Sequence, residues 1–217
     1  MKRKSNFVST RLSGVLESLT AAYGNDEGGR IFNAAQSILR TELAGVNDRG
    51  NRMIGKHIRR NILPGYACYR AMLDSGICSS EAVEFVRIEL CKRVESMAKL
   101  SKGLSSKKYT YWMIRAFMRV ILKYGFPKQG WNAVIHENSK DRIQFDMTNC
   151  LYCEELQKRG ALELCPAFCY TDVVSYSPLA PAVVFKRQNT LAQSGVKCDF
   201  CFEKGAVSRK RYDKGMA

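Results

Sequence analysis

The sequence predicts an α+β protein, with an N-terminal helical layer packed on a small antiparallel sheet formed mainly by the C-terminal third. Three observations carry that expectation. As far as Tyr124, apolar residues recur at three- and four-residue steps, the period of helices that bury one face. Beyond Gly130 the period falls to two, as in strands. Glycine, proline and short polar clusters separate the segments. The division falls between a helical region, 1–108, and an α/β region, 109–217, within one integrated domain.

The elements follow in order. Phe7 to Tyr23 places Leu12, Val15, Leu16 and Leu19 on one helical face and stops at Gly24-Asn25. Ile31 to Leu43 repeats the pattern. Asn51 to Ile62 should end before Pro64, whose ring disfavours a helical residue ahead of it. Pro64 then suits the first turn of a helix through Tyr69 and Leu73, closed by Gly76. A longer helix starts at Ser79-Ser80, with Glu81 and Glu84 near its positive end and Val83, Val86, Leu90, Val94 and Met97 as its stripe. Another runs from Tyr111 to Tyr124, with Met113, Phe117, Val120 and Ile121 expected inward.

The alternation of Trp131 to His136 and of Ile143 to Met147, around a polar turn, reads as a β-hairpin. Short helices follow at Cys150 to Arg159 and Leu162 to Tyr170. A second strand pair holds Val183, Phe185 and Arg187, then Cys198, Phe200 and Phe202, across a turn at Gln193-Ser194-Gly195.

Composition bounds the function. The chain of 217 residues is 46% hydrophobic and 25% charged, ordinary for a globular protein able to bury a core. Met1 to Lys4 and Ser208 to Ala217 read as solvated tails. No segment has the uninterrupted apolar length of a membrane span, and the basic N-terminus is not followed by a signal-peptide core. A cytoplasmic location is expected, with the nine cysteines as free thiols or ligands. The net charge of +15 is spread along the chain without a recognised nucleic-acid module, so it reads as a solvated basic surface or an attraction for an anionic substrate. The expected partner is a small molecule, with neither nucleic acid nor membrane; the oligomeric state is not read.

Six cysteines fall after Asn149: Cys150, Cys153, Cys165, Cys169, Cys198 and Cys201. Two C-x-x-C pairs suggest zinc, but Cys198 and Cys201 sit in a strand pattern, where residues three apart face opposite ways. A mixed set of Cys150, Cys169 and Cys198 stays open as a metal site. The alternative is that most of these thiols are small buried hydrophobes.

The stretch from Phe145 to Phe202 carries a longer string of motifs. It comprises Asn149-Cys150 after a strand, Glu163-Leu164 leading to Phe168-Cys169-x-x-Asp172, and Pro181-x-x-x-Phe185-x-Arg187-x-x-Thr190-Leu191-Ala192, closed by Gly195-x-x-Cys198-Asp199-Phe200. With Leu63-Pro64 and Tyr69 to Leu73 upstream, this string resembles the L-2-amino-thiazoline-4-carboxylic acid hydrolase family over about two-thirds of the chain. Ser194 departs from the pattern, standing where a second glycine is expected, and Cys153, Cys165 and Cys201 have no matching position.

The resemblance implies addition of water across the amidine carbon of a cyclic 2-aminothiazoline, opening the ring to a carbamoyl amino acid. A carboxylate that keeps a proton on nitrogen makes that carbon electrophilic, and a thiolate or an activated water attacks it. Cys169 and Asp172, three apart, share a helical face and are the first catalytic candidates, with Cys198 beside them. Arg187 could pair with a substrate carboxylate, or instead with Asp172 or Asp199. Asn149, Thr190, Asp199 and His57 complete the substrate-binding candidates; Asn149 could equally cap the helix after it, and His57 could equally be a surface side chain. His136 is the other histidine available to a mechanism. No cofactor is required by this reading. The competing reading is a cysteine-ligated metal- or cluster-binding protein without hydrolase activity.

Overall fold

A computed structural model describes residues 7–209. In chain order the elements are α1 (Val15–Ala44), α2 (Arg52–His57), a π-helical turn (Ile58–Ile62), α3 (Leu63–Asp74), α4 (Ser79–Leu104) and α5 (Thr110–Gly125). The strands β1 (Trp131–Asn138) and β2 (Arg142–Cys150) follow, then α6 (Leu151–Gln157) and α7 (Cys165–Tyr176). The chain ends with β3 (Val183–Lys186), α8 (Leu191–Ser194), β4 (Cys198–Lys204) and α9 (Ala206–Arg209). Helices dominate the N-terminal part and a four-stranded antiparallel sheet the C-terminal part, so the fold is α+β. The tail expected at Met1 to Lys4 lies outside the described residues. At the other end Ser208 is fully buried in α9, so the expected tail does not begin there, and the stretch after Arg209 lies outside the described residues.

The chain forms two compact units. The first holds the residues up to Arg93 together with Tyr152–Phe168; the second holds Val94–Leu151 and the chain from Cys169 onward.

In the first unit α1 packs on α3. Val15, Leu19, Ile31, Ala35 and Leu39 of α1 are fully buried, as are Ile62, Leu63 and Met72 in and beside α3. Gly24 interrupts α1 at φ 81, ψ 166, where a side chain would be strained. That position is the helix end expected from the sequence, although a second helical run resumes at once. Residues 7–14 form turns rather than the expected first helical turns, with the Thr10 hydroxyl donating to the Phe7 carbonyl.

Pro64 does not stop the helix before it. The π-turn lets the Leu63 amide reach the Ile58 carbonyl, five residues back. This wider turn accommodates a ring that lacks an N–H and would crowd a regular α-helix. At the other end Gly76 (φ 85) donates to Leu73 O and Ile77 to Met72 O, a Schellman closure.

The second unit is built on the sheet, ordered β1-β2-β4-β3 with every neighbour antiparallel. Met147 faces Cys198, Phe145 faces Phe200 and Ile143 faces Phe202 across β2 and β4. The other face of those strands carries Asp146 opposite Asp199 and Gln144 opposite Cys201. Helix α5 buries Thr110, Tyr111, Met118 and Leu122. Phe117, Val120 and Ile121, expected inward, are 57%, 50% and 45% exposed. This helix carries two apolar stripes, and periodicity cannot choose between them.

Candidate active site

Phe185, Arg187, Cys198 and Phe200 of the motif string gather on one face of the second unit's sheet, whereas Leu63-Pro64, Tyr69 to Leu73 and Glu163-Leu164 belong to the first unit. Phe200 stacks on Phe145 with ring centroids 4.9 Å apart. Phe185 and Phe202 extend the aromatic surface, and Tyr176 at the end of α7 packs edge-on against both. Arg187 leaves β3 just after Lys186, and its guanidinium lies 5.3 Å from the centre of the Phe200 ring. Cys198 is two residues from Phe200 on the same face of β4.

Helix α7 supplies the partners of that guanidinium. Arg187 Nη1 donates to Asp172 Oδ2 at 2.7 Å, and Nη2 donates to the Cys169 carbonyl at 2.7 Å. Cys169 and Asp172 sit one turn apart on this helix, as their spacing predicts. The Arg187 side chain is 6% exposed and that of Asp172 is 32% exposed, so the pair is covered on the arginine side and open on the carboxylate side. Burial pushes the Asp172 carboxyl above the usual carboxylate range, and Arg187 pulls against that shift. Of the partners weighed for Arg187, the structure selects Asp172. Both terminal nitrogens are engaged within the protein, so the arginine serves to place α7's carboxylate.

Cys198 is buried, and its sulfur accepts the Leu191 amide at 3.2 Å. Asp199, on the opposite face, holds the loop between β3 and α8. Its Oδ1 accepts from the Gln188 and Asn189 amides at 2.9 and 2.7 Å, and its Oδ2 accepts from the Asn189 side chain at 3.1 Å. Burial opposes the charge, but these donors from Asn189 and Gln188 keep the Asp199 carboxyl below its ordinary range. The carboxylate therefore orders the loop that presents Arg187.

Thr190, buried at the start of α8, donates its hydroxyl to Gln193 Oε1 at 3.0 Å. Ser194 stands in helical α8, and the left-handed conformation falls on Gly195 (φ 71). The missing second glycine is thus tolerated. Asn149 lies within β2, paired with Asn132, rather than ahead of a helix as a free cap. It sits at the Cys198 end of the sheet.

His57 belongs to the first unit. Its Nδ1 is 2.9 Å from the Tyr152 hydroxyl, which also accepts from the Asn61 side chain at 2.9 Å. It lines an open cleft of about 580 Å³ with Met53, Lys56, Arg60 and Asn61. Far from being a loose surface side chain, His57 is half-buried and held by a residue 95 positions away.

The metal alternative loses its ligand set: among the described residues no group of three or more His, Cys, Asp or Glu is placed to hold a metal ion, so Cys150, Cys169 and Cys198 do not form one. The C-x-x-C of β4 is divided by the strand, as its alternation requires. In the first unit the Cys153 and Cys165 sulfurs lie 3.3 Å apart.

One cluster was not legible as a site. On the face opposite the aromatic one, Asp146 Oδ2 lies 2.8 Å from His136 Nε2 and 2.8 Å from Lys197 Nζ. Burial opposes the Asp146 charge, but Lys197 and His136 hold its carboxyl below the usual range. Its Oδ1 is buried without a hydrogen-bond partner among the described residues. In the sequence Asp146 reads only as one of the polar residues that alternate with Ile143, Phe145 and Met147.

The sequence model of the L-2-amino-thiazoline-4-carboxylic acid hydrolase family matches residues 55–202. The chain belongs to that family. The match encloses His57, Asn149, Cys169, Asp172, Arg187, Thr190, Cys198 and Asp199. Comparison with curated proteins and with solved structures returns no match. The family is named for a hydrolase.

Proposed function

We propose that this protein hydrolyses a small cyclic amidine of the 2-aminothiazoline-4-carboxylate kind to a carbamoyl amino acid, with Cys169 and Asp172 at the reacting carbon. The observation that carries this reading is the Arg187 bridge, which joins the Asp172 carboxylate to the Cys169 carbonyl inside the family-matched region. A carboxyl whose ionisation burial disfavours is suited to hold a proton against the amidine nitrogen, which makes the ring carbon more electrophilic.

The Cys169 thiolate, or a water in its place, adds to that carbon to give a tetrahedral species. Cleavage of the ring C–S bond then gives the N-carbamoyl product, and cleavage of the ring C–N bond the S-carbamoyl product; the position of the general acid decides between them. Where Cys169 adds first, the ring opens with its carbon held on the Cys169 sulfur, and water then adds to that carbon and expels the Cys169 thiol, so the net change is addition of one water. Cys198, with its sulfur held by the Leu191 amide, is the second thiol of the site. Arg187 and Asp199 are positioning residues. Asn149 and Thr190, near the Cys198 end of the sheet, orient the substrate.

The test is direct. Purified protein incubated with 2-aminothiazoline-4-carboxylate should yield carbamoyl-cysteine by mass spectrometry, and the C169S and D172N variants should not. Correctly folded protein that leaves the compound unchanged would remove this substrate. Full activity in C169S and D172N would remove the assigned residues.

A further inference from the structure

Helix α5 carries an apolar face that the other described residues leave exposed. Phe117, Val120, Ile121 and Tyr124 are 57%, 50%, 45% and 62% exposed. Their spacing of three, four and seven residues puts them on one stripe two turns long. Scattered single apolar residues on a surface need no explanation, but a contiguous stripe of four large ones does. Tyr109 just before the helix is 50% exposed, and Met97 and Leu100 near the end of α4 are 46% and 57% exposed.

The charge around this stripe has one sign. No Asp or Glu occurs between Glu95 and Glu137. Lys107 and Lys108 precede the helix, Arg119 and Lys123 are exposed on it, and Lys128 follows it, also exposed. Lys123 stands on the flank of the apolar stripe, about 60° around the helix from Val120. A stripe of bulky apolar side chains flanked by lysines, with aromatic Tyr109 and Tyr124 at its two ends, matches the boundary between acyl chains and anionic headgroups.

We propose that the exposed face of α5 docks this protein on an anionic lipid surface, with Phe117, Val120, Ile121 and Tyr124 entering the headgroup boundary and the neighbouring lysines pairing with lipid phosphates and carboxylates. A second copy of this chain would set the same cations against one another, which disfavours self-association through this face. Nucleic acid would answer the charge but leave the apolar stripe in water. A single helix face is convex, which suits a broad surface better than it suits a partner helix that needs a groove. This docking is peripheral: none of the described helices is long and apolar enough to cross a membrane. It departs from the expectation of no membrane partner, which rested on the lack of a membrane-spanning segment.

Full-length protein sedimented with vesicles of phosphatidylcholine alone, and of phosphatidylcholine with phosphatidylserine, tests this. The expected result is binding to the phosphatidylserine vesicles about tenfold or more tighter than to phosphatidylcholine alone, weakening as salt rises. F117E/I121E should lose that binding with an unchanged circular dichroism spectrum, because both side chains are exposed. K107E/K108E should weaken it while leaving residual, salt-insensitive attachment. Absence of binding at low salt overturns the proposal. So does vesicle binding indifferent to F117E/I121E, which would be attraction by net charge alone. A concentration-dependent dimer that F117E/I121E abolishes, without vesicle binding, would assign the face to a second copy and overturn it equally.

Discussion

The two faces of the C-terminal sheet handle an aspartate in opposite ways. On the aromatic face Asp172 meets one cation, Arg187, against the rings of Phe200 and its neighbours, and its carboxyl is pushed up. On the other face Asp146 meets Lys197 and His136, whose side chains are 40% and 45% exposed, and its carboxyl is pulled down. Both aspartates lose water, which raises the cost of their charge. The outcome differs because Asp146 has two donors on one oxygen, while the single guanidinium beside Asp172 is itself shared with the Cys169 carbonyl. A carboxyl that ionises reluctantly can supply or hold a proton; one locked as an anion can only anchor its neighbours. The chemistry proposed at Asp172 draws on that contrast.

Activity is the hardest test of the contrast. D172N should lower kcat about 10²- to 10⁴-fold, and C169S at least as much. D146N should leave kcat near that of the parent. Equal losses from D172N and D146N, in steady-state assays on folded protein, would erase the distinction between the faces.

Stability gives the next largest effect. R187M strands Asp172 against the aromatic rings without its cation, and should cost about 3 kcal/mol in urea denaturation. The lower end of the range for broken buried pairs applies, because Asp172 keeps 32% of its side-chain exposure. R187M/D172N should cost less than R187M alone, since the stranded charge is gone. A double variant equal to the sum of its parts would mean that Arg187 acts by packing on Phe200 rather than through Asp172. D199A removes the acceptor of the Gln188 and Asn189 amides and should cost about 2 kcal/mol. It should also raise KM, because the loop it releases carries Arg187 and Thr190.

Much of this architecture was legible and some was not, for physical reasons. The change of period after Gly130 located the strands, and Gly24, Gly76 and Gly195 all mark element boundaries or breaks. The helix across Pro64 was missed because a π-turn leaves no mark in apolar spacing. The outward face of α5 was missed because Tyr111, Met118 and Leu122 form an equally apolar stripe, and only tertiary packing selects between the two. The i, i+3 pairing of Cys169 with Asp172 needed only a helix, so the spacing revealed it. The Arg187 partner depended on which loop crosses α7, and Asp199 was a fair competitor until the loop amides claimed it. The Asp146 cluster depended on a register irregularity between Ile135 and Glu137, which no local pattern announces.

The smallest effect concerns pH and separates the two aspartates by sign. The folded-state pKa of Asp146 is depressed, so its contribution is fully present above the ordinary carboxylate pKa of about 3.9 and is lost as pH falls through the folded value. Asp172 runs the other way. Its folded pKa is raised, so ionisation costs stability as pH rises through that value, and acid relieves the cost. D146N should therefore be less stable than the parent at neutral pH and converge on it in acid. H136A, which removes one half-exposed partner, should cost only about 0.2–1 kcal/mol. Urea denaturation from pH 7 down to the acid limb resolves both curves. A gap between D146N and the parent that widens in acid would show that Asp146 is the protonated carboxyl, and the assignment of the two faces would have to be exchanged.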